Sequence, residues 1–214
     1  MFADRTEAGR RLAAELEDHA STDAVVLGLP RGGVVVAAEV ARALRCPLDV
    51  VVVRKLGAPI QPELAMGAIA EGGIRVLDEL VAREVGADES AIARVEKRER
   101  GALDERVRRY RAGRQREPLD GRTAIVVDDG IATGATARAA CLSARQAGAS
   151  RIVVATPVAP PDAVAVLADV ADEVVVVESP SPFRAVGRWY RNFDATTDEE
   201  VVTLLAGGAE EEAP

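Results

Sequence analysis

The sequence is short of histidine, cysteine and long apolar runs, and each shortage excludes a class of protein or site. His19 is the only histidine among 214 residues, which excludes a metal site built on several histidines and leaves little basis for a Ser-His-Asp triad. Cys46 and Cys141 are far apart and lack Cys-x-x-Cys spacing. They could still pair in space, but we expect reduced, partly buried thiols.

Membrane and secretion signals are also missing. No apolar run approaches the roughly 18 residues of a membrane span. Residues 1–11 contain acidic side chains and no apolar segment of the kind found in secretory signals. We therefore expect a cytoplasmic protein that does not interact with membranes.

The charge balance excludes another class of partner. The formal net charge is −8, which argues against nonspecific binding to nucleic acid. Lysine is scarce, because Lys55 and Lys97 are the only two and every other cationic side chain is an arginine. The position of Lys55 is therefore of interest.

Short apolar runs alternate with helical patterns along the chain. Continuous apolar runs of strand length, often β-branched, are typical of buried parallel strands. We predict strands at 25–29, 48–53, 67–70, 123–127, 151–155 and 173–177. We predict helices from Asp4 to 17, at 34–44, 136–147 and 161–170, and from Thr197 to 205, with capping boxes at Asp4 and Thr197. The segment 57–73 is predicted as a long loop around its short strand.

This order of elements predicts an α/β fold with a doubly wound, mainly parallel sheet. We expect a single domain over 1–206, with a helical insertion at 78–116 and a small C-terminal hood and helix at 179–206. The acidic tail 207–214 is predicted to be disordered. A thin apolar stripe in the insertion fits either a helical hairpin with one solvated face or a partner surface; it consists of Ile92, Val95, Leu103, Val107 and Tyr110.

The chemistry is concentrated in the segment 123–136, where an apolar strand ends in Asp128 and Asp129. A loop of small residues follows and enters a helix near Thr136. At the carboxyl end of a parallel strand, such a loop presents backbone N–H groups and a helix N-terminus to a phosphate. Gly130 and Gly134 permit close approach of a ligand.

The two carboxylates would repel a phosphate, but they can accept hydrogen bonds from vicinal sugar hydroxyls. A phosphate beside a diol describes a ribose 5-phosphate. An ordinary turn with acidic residues that cap a helix is the alternative interpretation. Neither GxxxxGK[ST] nor GxGxxG occurs in the sequence, which argues against a P-loop or a dinucleotide site.

The string from Val126 to Thr136 resembles the signature of type I phosphoribosyltransferases, which bind phosphoribosyl pyrophosphate (PRPP). The order of elements over about 20–180 is similar too. The resemblance implies that Asp128 and Asp129 hold the ribose hydroxyls. It also implies that the 5-phosphate is held by Ile131, Ala132, Thr133, Gly134, Ala135 and Thr136.

Two further loops correspond to the same family. Arg31, Gly32 and Gly33 follow the first strand of the sheet, where the family has its pyrophosphate loop, although an ordinary turn has the same pattern. Lys55 resembles the basic entry to the family's mobile catalytic loop, and a solvated lysine at a strand end is the alternative. With Arg31, Lys55 is our candidate for stabilising the leaving pyrophosphate. The segment 62–72 would then be a flexible lid.

The acceptor is less well specified. Hypoxanthine-guanine enzymes of this family carry an acidic residue where this chain has Ala132, which makes the sequence more like the adenine or orotate types. The chain is closest to bacterial and archaeal family members whose nucleobase is not assigned. Phe183, Trp189 and Tyr190 are candidates for stacking on a planar base; they could equally plug the end of the sheet.

The sequence therefore predicts a phosphoribosyltransferase that transfers ribose 5-phosphate from PRPP to a nitrogenous acceptor such as a nucleobase. We expect Mg²⁺ to be bound mainly through PRPP, no dedicated protein metal site, and a homodimer. The main alternative is a noncatalytic regulatory protein that senses PRPP with the same fold. A PRPP synthetase-like enzyme is a third possibility, but the sequence has no visible ATP-binding element.

Overall fold

The structure, a computed structural model, describes residues 1–20, 23–62, 64–111 and 113–210, with the side chains of 208–210 left aside. The helices are α1 (Arg5–Ala14), α2 (Gly32–Leu44), α3 (Glu79–Glu84), α4 (Glu89–Tyr110), α5 (Ala135–Gln146), α6 (Pro161–Ala168) and α7 (Asp198–Glu210). The strands are β1 (Ala24–Gly28), β2 (Leu48–Val50), β3 (Val53–Gly57), β4 (Ala65–Ala70), β5 (Arg75–Leu77), β6 (Thr123–Val127), β7 (Arg151–Val158) and β8 (Glu173–Glu178).

The main sheet is parallel throughout and has the strand order β2-β1-β6-β7-β8. Its two faces are covered by different helices because successive strand side chains point to opposite faces. Val26 and Ile125 pack with α1, α2 and α7, whereas Val25 and Ala124 pack with α5 and α6. The predicted α/β fold with a doubly wound parallel sheet is confirmed.

Local capping fixes where the first and last helices begin. The Asp4 carboxylate accepts from the Glu7 amide at 2.8 Å, and the Glu7 carboxylate accepts from the Ala3 amide at 2.7 Å. Thr197 and Glu200 each accept from the other's amide before α7. The box at Thr197 is therefore confirmed as a reciprocal pair. At Asp4 the N-cap bond is present, but Glu7 bonds to the Ala3 amide rather than to that of Asp4.

The predicted strand 48–53 is wrong as a single element. It divides into β2, at the edge of the main sheet, and β3, which starts a second, antiparallel sheet in the order β3-β4-β5. The chain changes sheets where the Val51 amide bonds to the Gly28 oxygen. A run of β-branched residues favours extended backbone in either sheet, and so it cannot reveal a change of partner.

The short strand predicted at 67–70 inside the loop 57–73 is confirmed as β4, and the flexible lid predicted at 62–72 is wrong over that strand. Residues from Met66 to Ala70 are buried in β4, which pairs with both β3 and β5. Gly67 allows this packing, since a side chain there would collide with the backbone oxygen of Val76. The turn of the β3–β4 hairpin includes Glu63, which lies outside the described residues.

The predicted helical insertion is present as α3 and α4, and α4 covers one face of the small sheet. The predicted apolar stripe is confirmed, since four of its residues are buried and Val107 packs against them. Arg54 of β3 donates to the Glu99 carboxylate of α4 at 2.7 Å. The suggestion that this segment is a partner surface stays a prediction.

A buried charged network joins the two sheets. The Arg111 guanidinium donates to Asp49 of β2 at 3.0 Å and to Glu71, just beyond β4, at 3.1 Å. It also donates to the Val50 oxygen at 2.9 Å. Asp49 is almost fully buried, so this arginine supplies the countercharge that its carboxylate needs.

Three remaining expectations concern the ends and surfaces of the fold. Cys46 and Cys141 are buried free cysteines. Among the described residues, no helix is both long enough and apolar enough to cross a membrane. The helix α7 continues to Glu210, so the predicted disordered tail begins inside a helix, and 211–214 lie outside the described residues.

Candidate functional site

Two loops meet at the carboxyl edge of the main sheet because their strands are neighbours in register. Gly28, the last residue of β1, pairs with Val127, the last of β6. The Leu29 amide donates to the Val127 oxygen at 2.8 Å, and the Asp128 amide donates to the Ala155 oxygen at 3.3 Å. The loop 29–31 before α2 and the loop 128–134 before α5 therefore lie side by side.

A cavity of about 200 Å³ opens at the start of α5. It is lined by Asp128, Gly130, Ile131, Ala132, Thr133, Gly134, Ala135, Thr136 and Ala137. Ile131 anchors the loop, with its side chain buried and its amide bonded to the Val158 oxygen at 2.9 Å. The residues predicted to hold a phosphate are thus brought together around one concave space.

The N-terminus of α5 forms part of the cavity wall. Gly134 precedes α5 with φ of 80°, a conformation that glycine adopts without strain. The Arg138 amide, bonded to the Gly134 oxygen at 2.8 Å, starts the helical ladder. The amides of the first turn, at 135–137, are therefore left without partners inside the helix, and they carry the positive end of its dipole.

The carboxylates of the acidic pair have different surroundings. Asp128 lines the cavity and accepts a hydrogen bond from the Asp129 amide at 2.9 Å. The Asp129 carboxylate instead accepts from the Arg5 Nε atom at 2.7 Å, and both side chains of this ion pair are at most 15% exposed. Asp128 therefore lies at the cavity, whereas the Asp129 carboxylate forms an ion pair with Arg5 of α1.

This arrangement raises the pKa of both acids. Burial raises the pKa of Asp128 well above its usual range, and the neighbouring Asp129 charge adds to the effect. Burial also raises the pKa of Asp129, although the hydrogen bond and charge of Arg5 act in the opposite direction. A ligand that donates hydrogen bonds to Asp128 would stabilise the ionised carboxylate and so lower its pKa again.

The glycines at the start of α2 allow this helix to pack directly against the acidic pair. A Cβ atom at Gly33 would lie 2.9 Å from the Asp128 Oδ1 atom, and one at Gly32 would collide with the Asp129 carboxylate. Arg31 caps α2, is exposed, and follows Pro30 through a cis bond. Gly32 and Gly33 are thus beside the predicted diol contacts.

The two predicted catalytic cations lie outside the cavity lining. Arg31 is next to the glycines, and Lys55 is an exposed residue of β3 in the small sheet. Arg54 bonds to α4, and neighbouring strand residues point to opposite faces, so Lys55 points away from α4. A catalytic role for either residue stays a prediction.

The hood closes one side of the site. A side chain at Gly130 would collide with Val186, which begins a short 3-10 helix over Val186–Trp189. The next residue, Tyr190, is 6% exposed, and its hydroxyl donates to the main-chain oxygen of Asp129 at 2.5 Å. Its ring packs between Phe2 and Phe193 at centroid distances of 5.4 and 4.9 Å.

The prediction that Tyr190 contacts the acceptor is therefore wrong. Its ring offers no free stacking face and its hydroxyl is already bonded to the backbone, so this residue plugs the end of the sheet. Phe183 and Trp189 are half-buried against the same apolar cluster. Their contact with an acceptor stays a prediction.

Arg5 is the site residue that the sequence did not reveal. Besides the Asp129 carboxylate, its guanidinium binds the Asp194 oxygen at 2.7 Å and stacks 3.9 Å from the Phe193 ring centre. Its contact with Asp129 joins residues 124 positions apart. The only local signal, a helix capped by Asp4, placed Arg5 in the first turn without indicating a partner.

The comparisons with known proteins agree with this geometry. The family model of the phosphoribosyl transferase domain matches residues 3–187. A phosphoribosyl transferase from Mycobacterium tuberculosis, whose name is itself provisional, is 55% identical over 205 residues, which is 96% of this chain and 46% of that protein. A crystal structure of a protein from Thermus thermophilus is 48% identical, with a TM-score of 0.82 over 97% of this chain and 98% of its own.

A third similarity concerns the fold alone. A protein from Neisseria gonorrhoeae, crystallised with bound ppGpp, is 14% identical, with a TM-score of 0.51 over 97% of this chain and 96% of its own. The chain spans about half the length of the Mycobacterium relative. The matched family region nevertheless includes both loops at the carboxyl edge, the acidic pair and the cavity, and the chain belongs to the phosphoribosyl transferase domain family.

Proposed function

We propose that this chain transfers a phosphoribosyl group from PRPP to a nitrogen nucleophile and releases pyrophosphate. The observation that carries the proposal is the pairing of a helix-terminus cradle with the Asp128 carboxylate in the wall of one cavity. Amides at a helix N-terminus suit a phosphate, and a carboxylate beside them suits the hydroxyls of a sugar. A ribose 5-phosphate presents these two groups together.

In this reaction the bond between the anomeric carbon and the pyrophosphate oxygen breaks, and the departing pyrophosphate keeps the electron pair. The acceptor nitrogen forms the new bond to carbon and loses its proton. The loop around Thr133 would hold the 5-phosphate, and the loop 31–33 would face the diphosphate. Rate enhancement would come from positioning and from cations near the leaving group, with Arg31 and Lys55 in that role.

Magnesium fits this proposal as an ion carried by the substrate. Among the residues that the structure describes, no three His, Cys, Asp or Glu side chains come together as a metal site. The diphosphate and ribose of PRPP supply the oxygen ligands that Mg²⁺ prefers. When bound, the ion would neutralise charge that develops on the leaving diphosphate.

The direct test is to incubate the protein with PRPP, Mg²⁺ and a panel of nucleobases while pyrophosphate release is followed. We expect release that depends on one base or a small group of bases, and loss of PRPP binding in the double variant Asp128→Asn/Asp129→Asn. Each charge-assisted hydrogen bond contributes about 1.5–3 kcal/mol, so loss of the ribose contact at Asp128 alone should weaken PRPP affinity at least about tenfold.

One observation favours the alternative of a PRPP sensor, since neither Arg31 nor Lys55 lines the cavity. A sensor would bind PRPP in calorimetry, yet no acceptor would support pyrophosphate release. A folded protein that fails to bind PRPP would rule out both the transferase and the sensor.

A further inference from the structure

Arg5 bridges three separate parts of the candidate site. Its Nε atom donates to the Asp129 carboxylate at 2.7 Å, and its Nη1 atom donates to the Asp194 oxygen at 2.7 Å. The guanidinium carbon lies 3.9 Å from the centre of the Phe193 ring. The same Nε atom lies 2.6 Å from the position that a Cβ atom at Gly32 would occupy. One guanidinium thus contacts Asp129 and the hood and lies close to Gly32 at the start of α2.

The backbone holds this side chain in place. The Phe2 amide donates to the Trp189 oxygen at 2.7 Å, and the Arg191 amide donates back to the Phe2 oxygen at 2.9 Å. Phe2 itself is fully buried. The Asp4 N-cap then fixes the first turn of α1, in which Arg5 is the first residue. Arg5 is therefore presented to Asp129 by a docked segment rather than by a free end.

The Arg5–Asp129 ion pair balances one of the two charges of the acidic pair. Asp128 and Asp129 are adjacent half-buried carboxylates, and two such charges disfavour each other. Within the described structure, Arg5 is the cation in direct ion-pair contact with either of them. Its fork geometry and aromatic stacking suit a fixed, poorly solvated carboxylate better than a lysine would. Arg5 balances the Asp129 charge and leaves the Asp128 carboxylate to the ligand.

We propose that Arg5 is a positioning residue for PRPP: by pairing with Asp129 it orients the acidic pair so that Asp128 can bind the ribose hydroxyls. This inference rests on the proposed function and adds a residue from outside the PRPP signature. Arg5 acts through Asp129, so its effect on PRPP affinity should depend on the Asp129 carboxylate.

A double-mutant cycle tests this dependence. PRPP affinity is measured by calorimetry with Mg²⁺ for wild type, Arg5→Gln, Asp129→Asn and the double variant. We expect Arg5→Gln to weaken PRPP binding about tenfold or more in the wild-type background and less than about threefold in the Asp129→Asn background. Arg5→Lys should recover part of the affinity, because it restores the charge without the full geometry.

Arg11 provides a matched control on the same helix. It also pairs with a carboxylate, Glu178, at 3.0 Å and also stacks on an aromatic ring, that of Phe2, at 4.6 Å. Arg11→Gln removes a more exposed ion pair, so it should lower the unfolding temperature less than Arg5→Gln does and leave PRPP affinity unchanged. Equal losses of PRPP affinity in both variants would reduce Arg5 to a structural residue and overturn the proposal.

A second variant tests the same geometry while keeping every charge. Gly32→Ala would push a methyl group against the Asp129 carboxylate and the Arg5 guanidinium, and we expect a similar loss of PRPP affinity. Gly101→Ala is its control, since nothing lies within 4 Å of that position in α4. The proposal is overturned if wild type binds PRPP and Arg5→Gln binds it equally well, whatever the result for Gly32→Ala. A wild type that does not bind PRPP refutes the proposed function itself, and the inference with it.

Discussion

Tyr190 and Asp129 are joined by a hydrogen bond from the phenol hydroxyl to the main-chain oxygen, at 2.5 Å. Burial, reinforced by the nearby Asp129 charge, raises the pKa of this phenol, so it remains a proton donor at all ordinary pH values. The hood thus fixes the backbone of the residue whose side chain Arg5 holds. An aromatic residue of the C-terminal segment thereby supports the acidic pair from outside the cavity.

We expect Tyr190→Phe to lower stability and to weaken PRPP binding modestly. The variant leaves a buried carbonyl without its donor, which costs about 1–3 kcal/mol, and it loosens the Asp129 backbone. Thermal unfolding and PRPP calorimetry would measure the two effects. Tyr110→Phe is the control, because Tyr110 donates to Asp198 rather than to the acidic pair. It should lose stability but keep PRPP affinity, and a Tyr190→Phe protein with wild-type affinity would contradict the prediction.

We expect Asp128→Asn to be more stable than wild type near neutral pH while losing PRPP affinity about tenfold or more. The folded protein raises the pKa of Asp128 above the unfolded value of about 3.9. This shift therefore costs stability in full above the raised pKa; the cost declines as the pH falls below that pKa and is gone only below the unfolded value. Asparagine removes the cost but is a poorer acceptor for the ribose hydroxyls. Unfolding temperatures and PRPP calorimetry at pH 7 would test both parts.

The same pKa shift predicts how PRPP binding by the wild type depends on pH. The ribose hydroxyls bind best to the ionised carboxylate, so PRPP affinity should fall over the pH range in which Asp128 becomes protonated, which lies above the usual range of an aspartate. The Asp128→Asn variant should show a flatter profile over this range. Parallel profiles for the two proteins would show that another group controls the titration.

Lys55→Ala should lower the rate of pyrophosphate release much more than it weakens PRPP binding. A cation that stabilises the leaving diphosphate acts mainly in the transition state, so its loss appears in kcat rather than in ground-state affinity. Lys97→Ala is a matched control, because it removes the other lysine, which is exposed on α4. Equal losses in kcat and in PRPP affinity would make Lys55 an ordinary phosphate contact.

Trp189→Ala should raise the KM for the acceptor about tenfold or more with little change in the KM for PRPP. Base–aromatic stacking contributes about 1–3 kcal/mol, and the half-buried indole retains exposed surface beside the site. Phe183→Ala is the comparison within the same apolar cluster. If Trp189→Ala only lowers the unfolding temperature and keeps acceptor affinity in the folded fraction, the indole is part of the core.

The features that the sequence predicted well are those encoded by neighbouring residues. The cavity loop from Ile131 to Thr136 follows directly from a strand, a run of small residues and a helix start. The N-cap at Asp4 and the capping box at Thr197 are equally local. The division of 48–53 between two sheets was missed because extended backbone and β-branched side chains suit both sheets equally.

The missed parts of the site depend on distant contacts. Arg5 meets Asp129 only because docking of Phe2 on the hood brings the N-terminal segment to the sheet edge. The burial of Tyr190 was missed for the same reason, since its ring packs against Phe2 as well as Phe193. Composition and periodicity contain no information about pairs so far apart in the chain.

The Arg111 network also limits how the small sheet can move. A hinge at Val51 and Val52 would have to break the bonds from Arg111 to either Asp49 or Glu71, and in each case a buried carboxylate would lose its countercharge. Such an opening is costly, so the small sheet is braced against rotation as a rigid unit. Any approach of Lys55 to the diphosphate therefore has to come from extension of its own side chain.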